Sequence, residues 1–268
     1  MASRVALVGG NGKLGSIIRQ VIEEHDEFDV HSVLGSGSDL AEIEGADLVV
    51  DASVPQISVD VVRAATQREL PVLVGTSGWS SERIASVRPL VEAAGTGAVF
   101  IPNFSLGSVL GTALAAAASR FFPYAEIVEA HRDTKIDSPS GTAVRTAEMI
   151  ASARDEPVEA PHVDQRARGQ QVGGVPVHAL RRPGVVARQE TILSGQGESL
   201  SIVHDTIESA AAYAPGIRIA LEHAAGVRGV VVGLENFIDI GIGAPRASAR
   251  PPVDEGGVTG QVAGATGA

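Results

Sequence analysis

The fold of this chain is decided by the stretch Val5-Ala6-Leu7-Val8-Gly9-Gly10-Asn11-Gly12-Lys13-Leu14-Gly15. Its first four residues are typical of a buried strand, and residues 14–22 repeat apolar side chains at helical spacing. A glycine turn between such a strand and helix lets a pyrophosphate approach the backbone and lie at the N-terminus of the helix. The stretch therefore predicts dinucleotide binding, with an ordinary strand-to-helix turn as the alternative.

Beyond this stretch, strand-like runs alternate with helix-like runs as far as residue 122. Such alternation is typical of a parallel sheet with helices on both faces, whose ligands bind at the carboxyl ends of the strands. We expect Pro89 to kink or split its helix, because proline removes a backbone donor. The predicted strands are 28–34, 46–53, 71–74 and 98–101, and the predicted helices are 56–70, 80–94 and 106–122.

The pattern changes in the second half of the chain. Residues 154–173 are polar and irregular, and strands without intervening helices then predict an antiparallel or mixed sheet in a second lobe. The residues after Ile240 are rich in Gly, Ala and Pro and predict a disordered tail. The strand-like runs are 175–181, 185–193, 198–205 and 230–234, and residues 210–225 have a helical pattern on either side of Pro215-Gly216.

Composition narrows the class of protein. With 268 residues the chain is long enough for two lobes, and its 3% aromatic content leaves Ala, Val, Ile and Leu to build the core. A formal net charge of −11 argues against nucleic-acid binding, because a polyanion needs a basic face. A small anionic substrate is compatible with this charge if it finds a local positive site.

The location of the protein is predicted from what the sequence lacks. No apolar run approaches the roughly 18 residues that span a bilayer, and the first residues have no basic region with a cleavage site. The absence of cysteine excludes disulfides and thiolate metal sites and is compatible with a reducing compartment. No His, Asp or Glu cluster has the spacing of a metal site. We therefore expect a cytoplasmic protein without membrane contact or bound metal.

The loop after the second predicted strand bears on the choice of dinucleotide. NAD-binding domains usually place an acid about 20 residues beyond the glycines, where it binds the ribose. Here the strand is followed by Gly35-Ser36-Gly37-Ser38-Asp39, with two serines able to bind a phosphate and no acid at the strand tip. With Lys13 nearby, this loop favours NADPH, while Asp39 leaves NADH possible.

Lysine occurs only at positions 13 and 135, and both lysines lie in glycine-marked loops. Lys135 belongs to a charged stretch, Val128–Ala143, that reads Glu-x-His-x-x-x-Lys-x-Asp-x-Pro-Ser-Gly-Thr-Ala from Glu129 onward. This motif resembles the signature of the 4-hydroxy-tetrahydrodipicolinate reductase family, also called dihydrodipicolinate reductases. The resemblance covers roughly residues 4–240 and includes the glycine turn, Gly75-Thr76-Ser77-Gly78, Ile101–Ser105 and Gly174–Arg181.

The resemblance implies an NAD(P)H-dependent oxidoreductase that reduces 4-hydroxy-tetrahydrodipicolinate to tetrahydrodipicolinate in lysine and diaminopimelate biosynthesis. It also implies a homotetramer joined through the second-lobe sheets, with a small dicarboxylate substrate bound in that lobe. The corresponding fold class is α/β: a Rossmann-type parallel-sheet domain plus a smaller α+β substrate-binding and oligomerisation domain. We predict the first domain at 1–125, completed by about 214–240, the second at 126–213 and the disordered tail at 241–268.

The charged stretch supplies the chemistry that such a reduction needs. His131 is the proton donor favoured by residue type, and Lys135 is the alternative donor or an electrostatic stabiliser. The residues after Pro139 open a helix whose free amides can hold a carboxylate. The predicted substrate residues are Arg132, Ser140, Gly141 and Thr142. The predicted nucleotide residues, several of them implied by motif position alone, are Gly9, Asn11, Gly12, Lys13, Leu14, Gly15, Ser36, Ser53, Gly75, Thr76, Ser77, Asn103 and Phe104.

Four positions depart from the family's usual pattern. Arg132 replaces the second of two adjacent histidines, and Arg188 stands where another histidine is expected. Ser209 replaces an arginine, and Asp51 lacks its usual aromatic neighbour. These changes leave two alternatives to the lysine-pathway reaction. One is a diverged relative that reduces another cyclic imine or enamine carboxylate, and the other is a nucleotide-binding regulator without turnover, although a regulator needs no proton donor.

Overall fold

The computed structural model describes residues 2–241, and in the first half of these residues strands and helices alternate. The helices after Ser80 and Ser105 begin where those side chains accept a backbone amide of the first turn. The elements are β1 Ser3–Val8, α1 Lys13–Glu23, β2 Phe28–Leu34, β3 Leu48–Asp51, α2 Pro55–Gln67, β4 Val72–Val74, α3 Ser81–Ala93, β5 Gly97–Phe100 and α4 Leu106–Ser119, with a 3-10 helix at Leu40–Ile43.

The second half contains one strand that the sequence did not predict. The expectation that residues 154–173 are irregular is wrong at their end, where a three-residue strand forms a hairpin through Gly173 and Gly174, both at positive φ. The elements are β6 Tyr124–His131, α5 Gly141–Ser152, β7 Gln170–Val172, β8 Val175–Arg181, β9 Ala187–Gly195, β10 Glu198–Thr206, α6 Ser209–Ala224 and β11 Gly229–Val232, with 3-10 helices at Arg166–Arg168 and Leu234–Phe237.

The strands form two sheets, as the α/β prediction requires. The first is parallel and has the order β11-β5-β4-β3-β1-β2, so that β11 returns to it from the end of the described chain. The second has the order β10-β9-β6-β8-β7 and is mixed, because β6 runs parallel to β8 and antiparallel to β9. The strand at the centre of the second sheet is therefore the one that leads into the charged stretch.

Successive residues of β1 face opposite sides of the parallel sheet. Val5 and Leu7 are buried in the core that holds α1 and α6, whereas Ala6 and Val8 are buried in the core that holds α2 and α3. Full burial of a valine or leucine side chain contributes about 1.5–3 kcal/mol. Both faces are thus covered, and the carboxyl ends of the strands are left as the accessible edge.

Pro89 and Pro215 do not divide their helices. Both α3 and α6 continue through the proline, so the split that was one of the two expectations at Pro89 does not occur, and residues 210–225 are not helical only on either side of Pro215. Each proline leaves a carbonyl four residues earlier without its helical donor, at Ala85 and Ala211. Both alanines and both prolines are exposed, so water can satisfy these carbonyls at little cost.

The predicted disordered tail lies outside the described residues, apart from Gly241. The domain boundaries drawn from the sequence stay a prediction. Across residues 2–241, the helices are all too short or too polar to cross a bilayer.

Candidate active site

The glycine turn between β1 and α1 has the geometry of a pyrophosphate cradle. Gly9 has φ of 84°, and a Cβ placed there would lie 2.4 Å from the carbonyl oxygen of Ala52. A Cβ on Gly15 would lie 2.1 Å from the carbonyl oxygen of Gly9. Gly12 caps α1 without a side-chain hydrogen bond, so the first amides of this helix stay available. The residues of the turn therefore fit a bound dinucleotide.

The acidic residue of the loop after β2, Asp39, takes part in local hydrogen bonds. The Asp39 carboxylate accepts the amide of Ala41 at 2.8 Å, and Glu42 accepts the amide of Asp39, which together form a capping box. Ser38 accepts the amide of Gly35 at 3.1 Å, while Ser36 is exposed. Asp39 is thus engaged in capping the 3-10 helix that follows the loop.

A buried carboxylate organises the carboxyl ends of β3 and β4. Asp51 has no exposed area and accepts the amide of Ser53 at 3.0 Å, as well as the hydroxyls of Ser53 and Ser58. Its backbone carbonyl accepts the amide of Gly75 at 2.8 Å and the hydroxyl of Thr76 at 3.3 Å. Ser53, Gly75 and Thr76, all predicted nucleotide residues, are therefore brought together by a residue to which the sequence had assigned no role.

Two further predicted nucleotide residues differ in exposure. Ser77 is exposed at the end of the loop after β4, whereas Phe104 is buried with its ring against Gly75. A Cβ on Gly75 would lie 2.8 Å from this ring. Phe104 thus shapes the floor of the site by packing, and glycine is the residue that leaves room for it.

Glu129 is the centre of the charged stretch. It lies in β6, its side chain has no exposure, and its carboxylate accepts four hydrogen bonds. Oε2 accepts hydrogen bonds from Nδ1 of His131 at 2.6 Å and from Nη1 of Arg181 at 3.0 Å. Oε1 accepts Nη2 of Arg181 at 2.9 Å and the amide of Ser140 at 3.1 Å. One carboxylate therefore joins the end of β6, the end of β8 and the start of α5.

Lys135 lies on the loop between β6 and α5 and is only 25% exposed. Its Nζ donates to Oδ1 of Asp137 at 2.7 Å. Arg181 donates from Nε to the carbonyl oxygen of Lys135 at 3.3 Å and from Nη2 to that of Asp137 at 2.6 Å. The loop that carries the lysine is therefore fixed to the second sheet by its backbone.

The start of α5 faces the first sheet across a cleft. Ser140 caps this helix by accepting the amide of Ala143 at 3.2 Å, and Gly141 is its first residue. Nδ2 of Asn103, in the loop after β5, donates to Oγ1 of Thr142 at 3.2 Å. Among the hydrogen bonds of residues 2–241, it is the single one between a predicted nucleotide-binding residue and a predicted substrate-binding residue. The cavity beside it is lined by Asn103, Ser108, Thr142, Arg145, Met149 and Glu235.

The positions that depart from the family pattern have different surroundings. Arg188 donates to Asp205 at 2.5 Å, so its charge is balanced within the second sheet. Ser209 is the first residue of α6. Glu208 caps this helix, because its carboxylate accepts hydrogen bonds from the amides of Ala210 and Ala211. Arg132 is exposed, and no carboxylate of the described residues lies within salt-bridge distance of its guanidinium. Of the residues that depart from the family pattern, Arg132 is therefore the one whose guanidinium can bind an anion.

His178 and His204, on β8 and β10, both have hydrogen-bonding or packing partners. Nε2 of His178 lies 2.8 Å from Oε2 of Glu126. His204 lies against Gly107, with Nε2 3.3 Å from Oγ of Ser105, and burial lowers its pKa. Neither histidine contacts the cluster around Glu129 in the hydrogen bonds of the described residues.

Sequence reasoning missed the roles of Glu129 and Arg181. Both belong to the motifs that carried the resemblance, but each was read only as part of a pattern. A usable signal was present, because Glu129 is a charged residue between the apolar Val128 and Ala130 of a strand, and a buried carboxylate needs a cationic partner. That partner is 52 residues away, which no local pattern can reveal.

The ionisation of the cluster makes the stability of the protein depend on pH. Burial alone would raise the pKa of Glu129, but hydrogen bonds from His131 and Arg181 outweigh it and hold the pKa below its ordinary 4.5. The pKa of Asp137 is lowered in the same sense, with burial again opposed by Lys135. A lowered pKa in the folded state means that the stabilisation is complete above the ordinary value and is lost as the pH falls through the lowered one.

We therefore expect the free energy of unfolding to fall as the pH drops below the ordinary pKa values of these carboxyls and through their lowered ones. Chemical denaturation at fixed protein concentration, between pH 7 and pH 3, measures this. Glu129→Gln has no carboxyl at this position, so the stability gap between it and the wild type should narrow over the same range. A gap that is constant or widens with acid would contradict the arrangement around Glu129.

A parallel sheet with a glycine turn, beside a mixed sheet that carries a cluster of histidine, lysine and arginine side chains, is the arrangement of an NAD(P)H-dependent oxidoreductase. The family described as "Dihydrodipicolinate reductase, N-terminus" matches residues 3–104, and "Dihydrodipicolinate reductase, C-terminus" matches residues 107–238. The chain belongs to the dihydrodipicolinate reductase family.

Individual relatives agree with this assignment. The chain is 49% identical over 278 residues to 4-hydroxy-tetrahydrodipicolinate reductase of Clavibacter sepedonicus, with all of both chains covered. It is 38% identical to the protein of the same name from Streptomyces griseus, over 88% of this chain and 98% of the relative. Among solved structures, dipicolinate-bound dihydrodipicolinate reductase from Paenisporosarcina sp. TG-14 matches with a TM-score of 0.75 and 27% identity, covering 89% of this chain and 100% of that one.

Proposed function

We propose that this protein reduces 4-hydroxy-tetrahydrodipicolinate to tetrahydrodipicolinate with NADPH, in lysine and diaminopimelate biosynthesis. The observation that carries the proposal is the convergence of His131, the Lys135 loop and the start of α5 on the carboxylate of Glu129. The names of the relatives agree with it, and dipicolinate, which the solved relative holds, is a cyclic dicarboxylate like the proposed substrate.

The substrate is held by its two carboxylates. The first amides of α5 and the hydroxyl of Thr142 bind one of them, because a helix N-terminus favours an anion. Lys135 and Arg132 supply the positive charge for a dicarboxylate in a protein whose net charge is −11. Arg132 offers a planar pair of donors where the family usually has a histidine, and it binds the second carboxylate bidentately.

The reaction removes the 4-hydroxyl group as water and adds one hydride and one proton to the ring. A bound reduced nicotinamide supplies the hydride and is oxidised. His131 supplies the proton, because Nδ1 is held by Glu129 and Nε2 is left to face the substrate. Lys135 stabilises the negative charge that develops on the conjugated ring, and it is the alternative proton donor.

We propose NADPH rather than NADH because Asp39 is occupied in its capping box, and Ser36, Ser38 and Lys13 can meet a 2′-phosphate. The expected result is tighter binding of NADPH, by about tenfold or more. Isothermal titration of both reduced cofactors against the same preparation measures the difference. Tighter binding of NADH would refute the role given to this loop.

We also propose a homotetramer in the cytoplasm, with the nucleotide domain at 1–125 plus about 214–240 and the second domain at 126–213. The second sheet supports the oligomer, because it leaves large apolar side chains exposed on its strands. Leu180, Leu200 and Val203 are 50%, 40% and 45% exposed. Sedimentation equilibrium tests this, and a monomer at micromolar concentration would contradict it.

The activity is tested by mixing the protein with enzymatically generated 4-hydroxy-tetrahydrodipicolinate and following the absorbance of NADPH. Turnover of about 1 to 1,000 per second is expected. The second candidate is a diverged relative that reduces another cyclic imine or enamine carboxylate, and the observation that favours it is the exposed Arg132. NADPH oxidation with such a ring but not with the lysine-pathway substrate would select this candidate, and cofactor binding without any turnover would select a regulator.

A further inference from the structure

Arg181 completes a buried ion pair at the centre of the site. Its guanidinium is 19% exposed and spans both oxygens of Glu129, whose side chain has no exposure. The same guanidinium donates to the backbone carbonyls of Lys135 and Asp137. A fork of this kind fixes orientation as well as charge, and lysine cannot reproduce it.

We propose that Glu129 and Arg181 are positioning residues for the reduction, which hold the proton donor, the lysine loop and the start of the substrate-binding helix in one geometry. The proposal rests on the proposed function for its kinetic consequences. Its geometric core, the control of the His131 ring and of the lysine loop, stands on the contacts alone.

The first consequence concerns the tautomer of His131. The carboxylate of Glu129 accepts from Nδ1 at 2.6 Å, and an acceptor without a proton of its own requires that this nitrogen carry one. In the neutral ring the other nitrogen, Nε2, is therefore the basic one, and in the charged ring it holds the proton that can be given away. Glu129 thus decides which nitrogen serves as the donor.

The second consequence concerns the two flanking segments. The Arg181 fork ties the Lys135 loop to the carboxylate, and the amide of Ser140 ties the start of α5 to the same carboxylate. A change in this carboxylate therefore displaces three parts of the site together. Catalysis is sensitive to displacements of about 1 Å, so we expect the effect in the turnover number more than in the binding of NADPH.

The chain offers a matched control for this pair. Glu126 lies on the same strand and is also held between an arginine, Arg168, and a histidine, His178. Its cluster lies at the other end of β6 and contacts neither Lys135 nor the start of α5 in the hydrogen bonds of the described residues. Glu126→Gln therefore removes the same kind of ion pair from the same sheet, at a side chain that is 33% exposed, without touching the site.

The experiment compares Glu129→Gln, Glu126→Gln and Arg181→Lys with the wild type, in steady-state kinetics and in 15N spectra of the histidine side chains. We expect kcat to fall about 100-fold or more in Glu129→Gln and Arg181→Lys, with the KM for NADPH within about threefold of wild type. In Glu126→Gln, kcat should stay within about threefold. His131, assigned with a His131→Gln variant, should be protonated at Nδ1 in the wild type.

Equal losses of kcat in Glu129→Gln and Glu126→Gln would overturn the proposal, because they would show a structural effect of any lost ion pair. A wild-type preference for Nε2–H would overturn it as well. If Glu129→Gln does not fold, Arg181→Lys decides by its kcat. If the wild type lacks turnover, the proposed function fails, while the histidine spectra still decide the positioning role.

Discussion

Lys135→Ala lowers kcat/KM for the dicarboxylate substrate about 100-fold or more. The substitution removes the single lysine of the charged stretch, together with its contribution to substrate binding and to the charge that develops on the ring. Because Nζ donates to one group of the described residues, the largely exposed Asp137, its loss should leave the fold intact. Steady-state kinetics with both substrates varied measures the effect, and circular dichroism checks the fold.

Arg132→His is the matched variant, because it restores the histidine that the family usually has beside His131. We expect kcat/KM to change by less than about tenfold, since Arg132 binds a carboxylate that neighbouring donors also hold. Equal, small effects of the two substitutions would remove the charged stretch from the active site. A large loss in Arg132→His alone would show that the substrate depends on this arginine, as a diverged relative would require.

Gly15→Ala destabilises the protein by about 1–3 kcal/mol or more and weakens NADPH binding at least about tenfold. The added Cβ would lie 2.1 Å from the carbonyl oxygen of Gly9 and 2.7 Å from Cα of Gly10, and both neighbours are backbone atoms that cannot rotate away. Relief requires α1 to move from the turn, which separates the amides that cradle the pyrophosphate. Denaturant unfolding and NADPH titration measure the two effects.

Gly111→Ala in α4 is the control for this substitution. The nearest side-chain atom to a Cβ at Gly111 is 3.8 Å away, which is ordinary contact. In a helix interior, alanine is favoured over glycine by roughly 0.5–1 kcal/mol, so this variant should be as stable as the wild type or more stable. If Gly15→Ala behaves like Gly111→Ala, the close approach between α1 and the turn is wrong.

The order of the elements was predictable wherever hydrophobic periodicity was strong. β2 has the predicted bounds of 28–34, and β8 has those of 175–181. β7 was missed, because three residues carry too little pattern to be told from a loop. The helices through Pro89 and Pro215 were misjudged because the cost of proline depends on whether the freed carbonyl reaches water, which is a property of the folded surface.

The sequence singled out several residues of the candidate site but not the contacts between them. The motif identified His131 and Lys135, and the glycine turn was evident from its place between a strand and a helix. Hydrogen bonds to Glu129, Arg181 and Asp51 join residues that the folding of the chain brings together. A local sequence pattern does not reveal such contacts. Arg188 shows the same limit: it was read as a change in the pocket, and its charge is taken up by Asp205.

The central claim is that this chain transfers a hydride from NADPH to the ring of 4-hydroxy-tetrahydrodipicolinate. Mass spectrometry of the product formed with NADPH deuterated at both C4 positions tests it most directly. We predict one deuterium in each product molecule, and a matching loss of product in Lys135→Ala. Product without deuterium would contradict the account, and so would deuterated product that Lys135→Ala forms as fast as the wild type.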